Sequence, residues 1–322
     1  MCALNVVKGM ILFMDKNELL SMLPILVGGM LVETNFILDR RIKIKSRKET
    51  KDELQKIKEQ FIPKDKDYQK YNFPIIKYAI LNKEENEKLL DMSKKLEEKP
   101  KIYQFYQKLS QEIKIDHLTN FLTNAQTVTV SNEKLTMTKR IIEIENGLIK
   151  FAEYNPNKNE ITIYHNFVKS AINHELLHLA SFNSCTQQVG LSYYDHEENK
   201  ILIGKGITEG YTELLNRRYF NSKNLSYPKL KKIAELIELF YEDKKDMEAD
   251  FFHANFYNLL AHLTQSISYD EAINMLIDTD YILYHPHDNK YFKNIKENMY
   301  SLYSQNHSKS EKETFKVKAK LK

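Results

Sequence analysis

The sequence predicts an α+β domain on three observations. Apolar residues recur at three- and four-residue spacing from Lys48 to about Asn124, and again from Phe167 onward, which is the period of helices with one buried face. Between Gln126 and Tyr164 the pattern changes to β-branched, alternating stretches. Within that region Asn155-Pro156-Asn157-Lys158-Asn159 is dense in turn-forming residues and divides two candidate strands as a hairpin.

Composition sets the frame. A chain of 322 residues with 42% hydrophobic content can bury a sizeable core as one large domain or two modest ones. Lys and Arg total 48 against 44 Asp and Glu, and a net charge of +4 is too small a surplus to argue for a nucleic-acid partner. The two cysteines, Cys2 and Cys185, cannot build a disulfide framework and have no metal-ligand spacing, which points to a reducing, cytoplasmic compartment.

In chain order, residues 1–47 form an apolar segment with a basic flank. Its two apolar runs, Ala3–Met14 and Leu19–Val32, are each short of the roughly 18 to 20 residues a spanning helix needs, and Pro24 and Gly28-Gly29 interrupt the second. A buried helix or strand pair is the expectation. Membrane contact through residues 1–47 is the alternative, with the run Arg40–Lys48 as interfacial flank holding the rest of the chain on the cytoplasmic side. Residues 48–124 read as a helical region, with stripes such as Leu89, Leu90, Met92 and Leu96, then Ile102, Phe105, Tyr106 and Leu109, punctuated by Pro63, Pro74 and Pro100. The Lys-Glu density of Lys83–Lys88 is a solvated helix face.

Residues 125–300 carry the remaining elements. Strands are predicted at Thr127–Val130, Ile141–Glu145, Leu148–Tyr154 and Glu160–Tyr164. Helices follow at Phe167–Phe182, Gly206–Phe220, Leu230–Tyr241, Asp246–Gln265 and Asp270–Ile277. Residues 301–322 are a polar, Lys-rich tail, expected to be disordered from His307.

The chemistry lies in His174-Glu175-Leu176-Leu177-His178. Histidines four apart on a helix share one face a single turn apart, so both imidazoles can reach one ion at about 2.0 to 2.1 Å. Glu175 stands beside such an ion, placed to take a proton from water activated by the metal and to hand it to a leaving amine. Ala171, Ile172, Leu176, Leu177, Leu179 and Ala180 make this helix apolar around most of its circumference. Buried histidines need partners, and a metal supplies one.

The HExxH segment followed by Gly206-Ile207-Thr208-Glu209-Gly210 resembles the gluzincin metallopeptidases, a superfamily within the zincins that includes thermolysin-like and aminopeptidase-like enzymes. The resemblance spans His174 to Phe220. It implies a zincin-like catalytic domain, with an active-site helix under a small twisted sheet whose edge strand the upstream hairpin supplies, one Zn2+ ion, and a peptide or protein substrate. Carried over by position, it makes Glu209 the third metal ligand beside His174 and His178. Glu213, one turn on, becomes the carboxylate that orients a ligand histidine. The chain departs from the family pattern in having Thr208 where many members have Asn, and in a longer separation between His178 and Glu209.

Rival third ligands are Glu213 itself and the cluster Asp195, His196, Glu197 and Glu198. The metzincin pattern fails, because Ser181 and Ser184 stand where it needs Gly and His. Oxyanion stabilisation calls for a Tyr or His donor, and Tyr194, His196 and Tyr211 are nearest in sequence, with His253 and His262 on a later helix. Two other functional readings share these folding signals. One is a catalytically silent zincin-like binding or regulatory protein, against which the presence of Glu175 argues; the other is an intracellular zinc endopeptidase effector.

Overall fold

The computed structural model describes residues 47–62, 73–133, 152–164, 169–223 and 227–321. Residues 1–46, the expected strand Ile141–Glu145 and the first half of Leu148–Tyr154 lie outside the described residues. The chain separates into a short unit, Met1–Lys51, and a large one, Asp52–Lys322. The large unit is mostly helical with small sheets, an α+β architecture.

Helix α1 ends at residue 61 and contributes Leu54 and Ile57 to the core. An extended stretch leads to α2 (Lys83–Lys95), whose start is a reciprocal cap: Asn82 Oδ1 accepts from Glu85 N, and Glu85 Oε2 accepts from Asn82 N. Helix α3 (Pro100–Leu109) opens on proline, which lacks an N–H where none is needed, and buries Ile102, Phe105 and Leu109 at the predicted spacing. Helix α4 (Thr119–Thr127) turns the chain into the sheet.

That sheet has three strands, β1 (Thr129–Asn132), β2 (Ala152–Asn155) and β3 (Glu160–Ile163), in the order β1-β3-β2. β2 and β3 are the predicted antiparallel hairpin, with Tyr154 opposite Ile161. Asn159 closes the turn at φ 47°, in the left-handed region that asparagine tolerates better than most residues. Its side chain donates to Asn124 O at 2.8 Å, tying the hairpin to α4.

Helix α5 (Lys169–Ala180) carries the HExxH segment. The long separation from there to Glu209 is taken up by two small hairpins, β4 (Phe182–Asn183) with β5 (Gln188–Val189), and β6 (Tyr193–Asp195) with β7 (Lys200–Ile203). Helix α6 (Lys205–Phe220) then runs through the centre of the unit, packed against α5, α7 (Pro228–Ile237) and, further on, α10 (Tyr269–Tyr284). Every α6 residue from Gly206 to Asn216 is buried except Glu209, which is partly exposed. A helix so enclosed needs small residues where neighbours press closest. A Cβ on Gly206 would lie 2.6 Å from Thr279 O, and one on Gly210 would collide with the Leu230 carbonyl.

Two expectations are corrected. The single helix predicted over Asp246–Gln265 is two, α8 (Lys244–Phe252) and α9 (Phe256–Thr264). The break is local chemistry: Ala254 sits at φ 54°, and Asn255 caps α9 by accepting from Asn258 N at 3.1 Å. The end of the chain is not a disordered tail. After α11 (Asn289–Asn306), Ser308 and Glu311 form a capping box that starts α12 (Lys309–Ala319), and α12 buries Phe315 and Ala319 against α11. The Phe315 ring packs on Tyr303, 4.9 Å between centroids, and on Tyr300 at 5.8 Å. Among the described residues no helix is long and apolar enough to cross a membrane.

Because Phe315 is fully buried, Phe315→Ala is expected to cost about 3 to 5 kcal/mol of unfolding free energy. Urea unfolding followed by circular dichroism measures this, and an unchanged midpoint would return residues 309–319 to the status of a tail.

Candidate metal centre

Helix α5 is set by its apolar faces. Leu176, Leu177, Leu179 and Ala180 are buried, and Asn124 ties down the end of the helix and the strand after it, its Nδ2 donating to Leu179 O at 3.0 Å and Phe182 O of β4 at 2.7 Å. The remaining face holds His174 and His178, both buried, with ring centroids 4.8 Å apart and Nε2 atoms 3.1 Å apart. Across from them α6 brings in Glu209, whose Oε2 is 3.2 Å from His174 Nε2 and 3.3 Å from His178 Nε2.

These three atoms test whether a metal fits. Tetrahedral zinc with ligand bonds near 2.05 Å spaces its ligand atoms about 3.3 Å apart. The observed triangle of 3.1, 3.2 and 3.3 Å meets that spacing with two imidazoles and a carboxylate, a donor set zinc accepts. Among the described residues this is the only group of three such side chains close enough to share an ion. Glu213 occupies the outer position: its Oε2 is 3.4 Å from His174 Nδ1, the ring nitrogen turned away from the triangle. Glu175 faces the sheet, where its Oε2 accepts from Tyr154 N at 2.8 Å.

The same interior drives the carboxylates apart. Burial pushes the Glu175 carboxyl up, partly offset by the two histidines and the Tyr154 N–H. Glu209 is partly exposed, and although desolvation favours its neutral form, His178 and His174 hold its carboxyl well below the usual range. Burial opposes a charge on His174, but hydrogen bonding to Glu209 and Glu213 overrides it and raises the imidazole to about 10. The two carboxylates thus favour the protonated form of His174, and an ion binding there would have to displace that proton.

The other candidates lie elsewhere. Thr208, where the resemblance expects Asn, accepts from Leu191 N at 3.0 Å and so holds the preceding loop. Asp195, Glu197 and Glu198 belong to the β6–β7 hairpin: Asp195 Oδ1 accepts from Glu197 N and Glu198 N, and Glu198 pairs with Lys200 at 2.6 Å. Tyr194 bonds Asn199 and stacks edge-on with His196 in that hairpin. Tyr211 is corrected as an oxyanion candidate, since its fully buried hydroxyl is 3.3 Å from Glu238 in a cluster with Arg218. His253 bonds His117 at 3.0 Å and His262 stacks on Tyr241, so neither reaches the triangle.

Sequence reasoning passed over Tyr227. This residue immediately precedes α7, its ring centroid is 6.0 Å from that of His174, and its phenol is raised well above its ordinary value by the Glu209 charge, then by burial, Glu175 and Glu213. It is a protonated hydroxyl group beside the site. The signal available was its place directly before the helix-opening Pro228, which sequence alone cannot connect to a site eighteen residues upstream.

No family model, characterised protein or solved structure matches this chain.

Removing Glu209 and Glu213 separately distinguishes their positions. Glu209→Ala is expected to abolish zinc retention nearly completely, and Glu213→Ala to weaken it about 10 to 100-fold. Wild-type affinity should climb as pH rises from 6 towards 9, because fewer protons then compete for His174. Chelator competition across that range reads both effects. Zinc loss confined to the Glu213 variant would reverse the assignment.

Proposed function

We propose that this chain is a zinc-dependent peptidase with a zincin-like catalytic domain, hydrolysing peptide bonds in a peptide or protein substrate. The observation that carries this reading is the triangle of His174, His178 and Glu209, its two histidines buried, with Glu175 beside it, at distances that suit one zinc ion. The arrangement of α5 against a small sheet, with Tyr154 of β2 bonded to Glu175, supports it. A zinc ion bound there would acidify water and polarise the substrate carbonyl.

The chain's own residues do the rest. Glu175 is the general base and acid: its raised proton affinity suits a group that takes a proton from the attacking water and gives it to the leaving amine. The Tyr154 N–H fixes one carboxylate oxygen, Oε2, and leaves the other free of that bond. Glu213 Oε2 lies 3.4 Å from the outer nitrogen of His174, where its charge pairs with that ring and favours its present orientation. Tyr227 is the donor to the developing oxyanion, since its ring lies 6.0 Å from that of His174 and its phenol is a hydrogen-bond donor.

Metal analysis of the purified protein is the decisive measurement. One equivalent of zinc in the wild type and none in His178→Ala is expected. Glu175→Gln should keep zinc and fold while losing hydrolysis of a mixed peptide library by several orders of magnitude, because it removes the base and leaves the ligands. Full activity in that variant would eliminate the mechanism.

Tyr227→Phe removes only a hydroxyl. It should retain zinc and lower kcat about 100 to 1,000-fold, the usual size for one oxyanion donor, with a small change in KM. A variant with unaltered kcat would remove Tyr227 from the chemistry.

A further inference from the structure

Helix α6, which carries Glu209, begins without a cap of its own. Its N-cap residue is Gly204, at φ 86°, and glycine has no side-chain oxygen to offer the free N–H groups of the first turn. The acceptor comes instead from α10. Asp280 Oδ1 accepts from Gly206 N at 2.6 Å and Oδ2 from Gly204 N at 2.9 Å. The carboxylate is only 2% exposed. The two helices meet here with almost no side chain between them, since a Cβ on Gly206 would also lie 3.0 Å from Asp280 N.

A side-chain cap at the N-cap itself is excluded, because Gly204 is left-handed and a Cβ there would lie 2.5 Å from Leu191 O, so the first turn must take its acceptor from another element. Burying a carboxylate at this depth is costly, and burial raises the Asp280 carboxyl to about 7 even though both backbone N–H bonds favour its charge. What a distant carboxylate adds is geometry. Two bonds from one rigid fork fix both the rotation and the axial position of the first turn of α6. Glu209 follows Gly206 by three residues, about one turn along the same face. A metal ligand tolerates displacement of only about 0.2 Å.

We infer that Asp280 is a positioning residue for the metal centre, setting Glu209 by capping α6 from α10. This rests on the metal reading above. Removing Asp280 lets the first turn of α6 shift and carries Glu209 off the triangle, while His174, His178 and Glu213 stay where α5 and the buried part of α6 hold them.

The test compares zinc affinity, by chelator competition at pH 8, in wild type, Asp280→Ala, Asp280→Asn and Ile273→Ala. Ile273 is a fully buried residue of the same helix, so its variant loses stability through packing without touching the α6 cap. Unfolding midpoints of the metal-free forms rank the variants by stability. Asp280→Ala is expected to lose about 10-fold or more in zinc affinity beyond any loss in Ile273→Ala. Asp280→Asn, which folds with one acceptor oxygen still available, should fall between wild type and Asp280→Ala. Unchanged affinity in both Asp280 variants, or an equal loss in Ile273→Ala, overturns the inference and leaves the metal reading standing. A wild type that binds no zinc overturns both.

Discussion

The fold is organised around a demand that is hard to meet: two imidazoles and a carboxylate must converge on one point inside the protein. Each costs free energy to bury and each repels or starves the others unless something lies between them. His174 and His178 come to that point on one turn of α5, which requires only local helix geometry. Glu209 must come from another helix, so α6 has to pass through the centre of the unit with a single residue of its buried run left partly open. The glycines of α6, the two hairpins in the long connection and the cap from α10 are consequences of placing that helix there.

Burial alone does not decide what a carboxylate becomes. Glu175 and Glu209 share one interior, yet burial pushes the first towards its protonated form while the facing imidazoles hold the second ionised. The difference lies in what the oxygens meet. Glu209 Oε2 is within 3.3 Å of both imidazole nitrogens, whereas Glu175 Oε2 meets a backbone N–H. One carboxylate is suited to hold charge and the other to exchange a proton, which is the contrast the proposed ligand and base roles draw on.

The sequence disclosed the parts of this arrangement that depend on short-range periodicity. The α5 histidines, the hairpin around Asn155–Asn159 and the stripe on α3 are all set by spacing along a single element, and the structure places them as the spacing implies. Glu209 was singled out by a resemblance alone, and its oxygen lies 3.2 and 3.3 Å from the two imidazole nitrogens. What stayed hidden depends on which element meets which. Asp280 reads as one acid on an amphipathic helix until α10 is known to abut the start of α6. Lysine density concealed α12, although Ser308, Glu311, Phe315 and Ala319 spell a capped helix with a buried stripe. The α8–α9 break was missed because nothing apolar interrupts it; one left-handed alanine and an asparagine cap are enough.

The pair Glu209-Gly210 shows how a short motif can serve two elements at once. Glu209 points to the histidines, and Gly210 turns towards α7, where the Leu230 carbonyl lies so near that no Cβ could be accommodated. Tyr227 stands three residues before Leu230, just ahead of the helix, and its ring reaches His174. The absent side chain at 210 therefore sets how closely α7 approaches α6, and through that approach how near Tyr227 comes to the metal-facing atoms. A methyl group at 210 would push α7 outwards, and the phenol with it, without altering His174, His178 or Glu209. The glycine after Glu209 thus lets α7 lie against α6, and Tyr227 precedes that same helix.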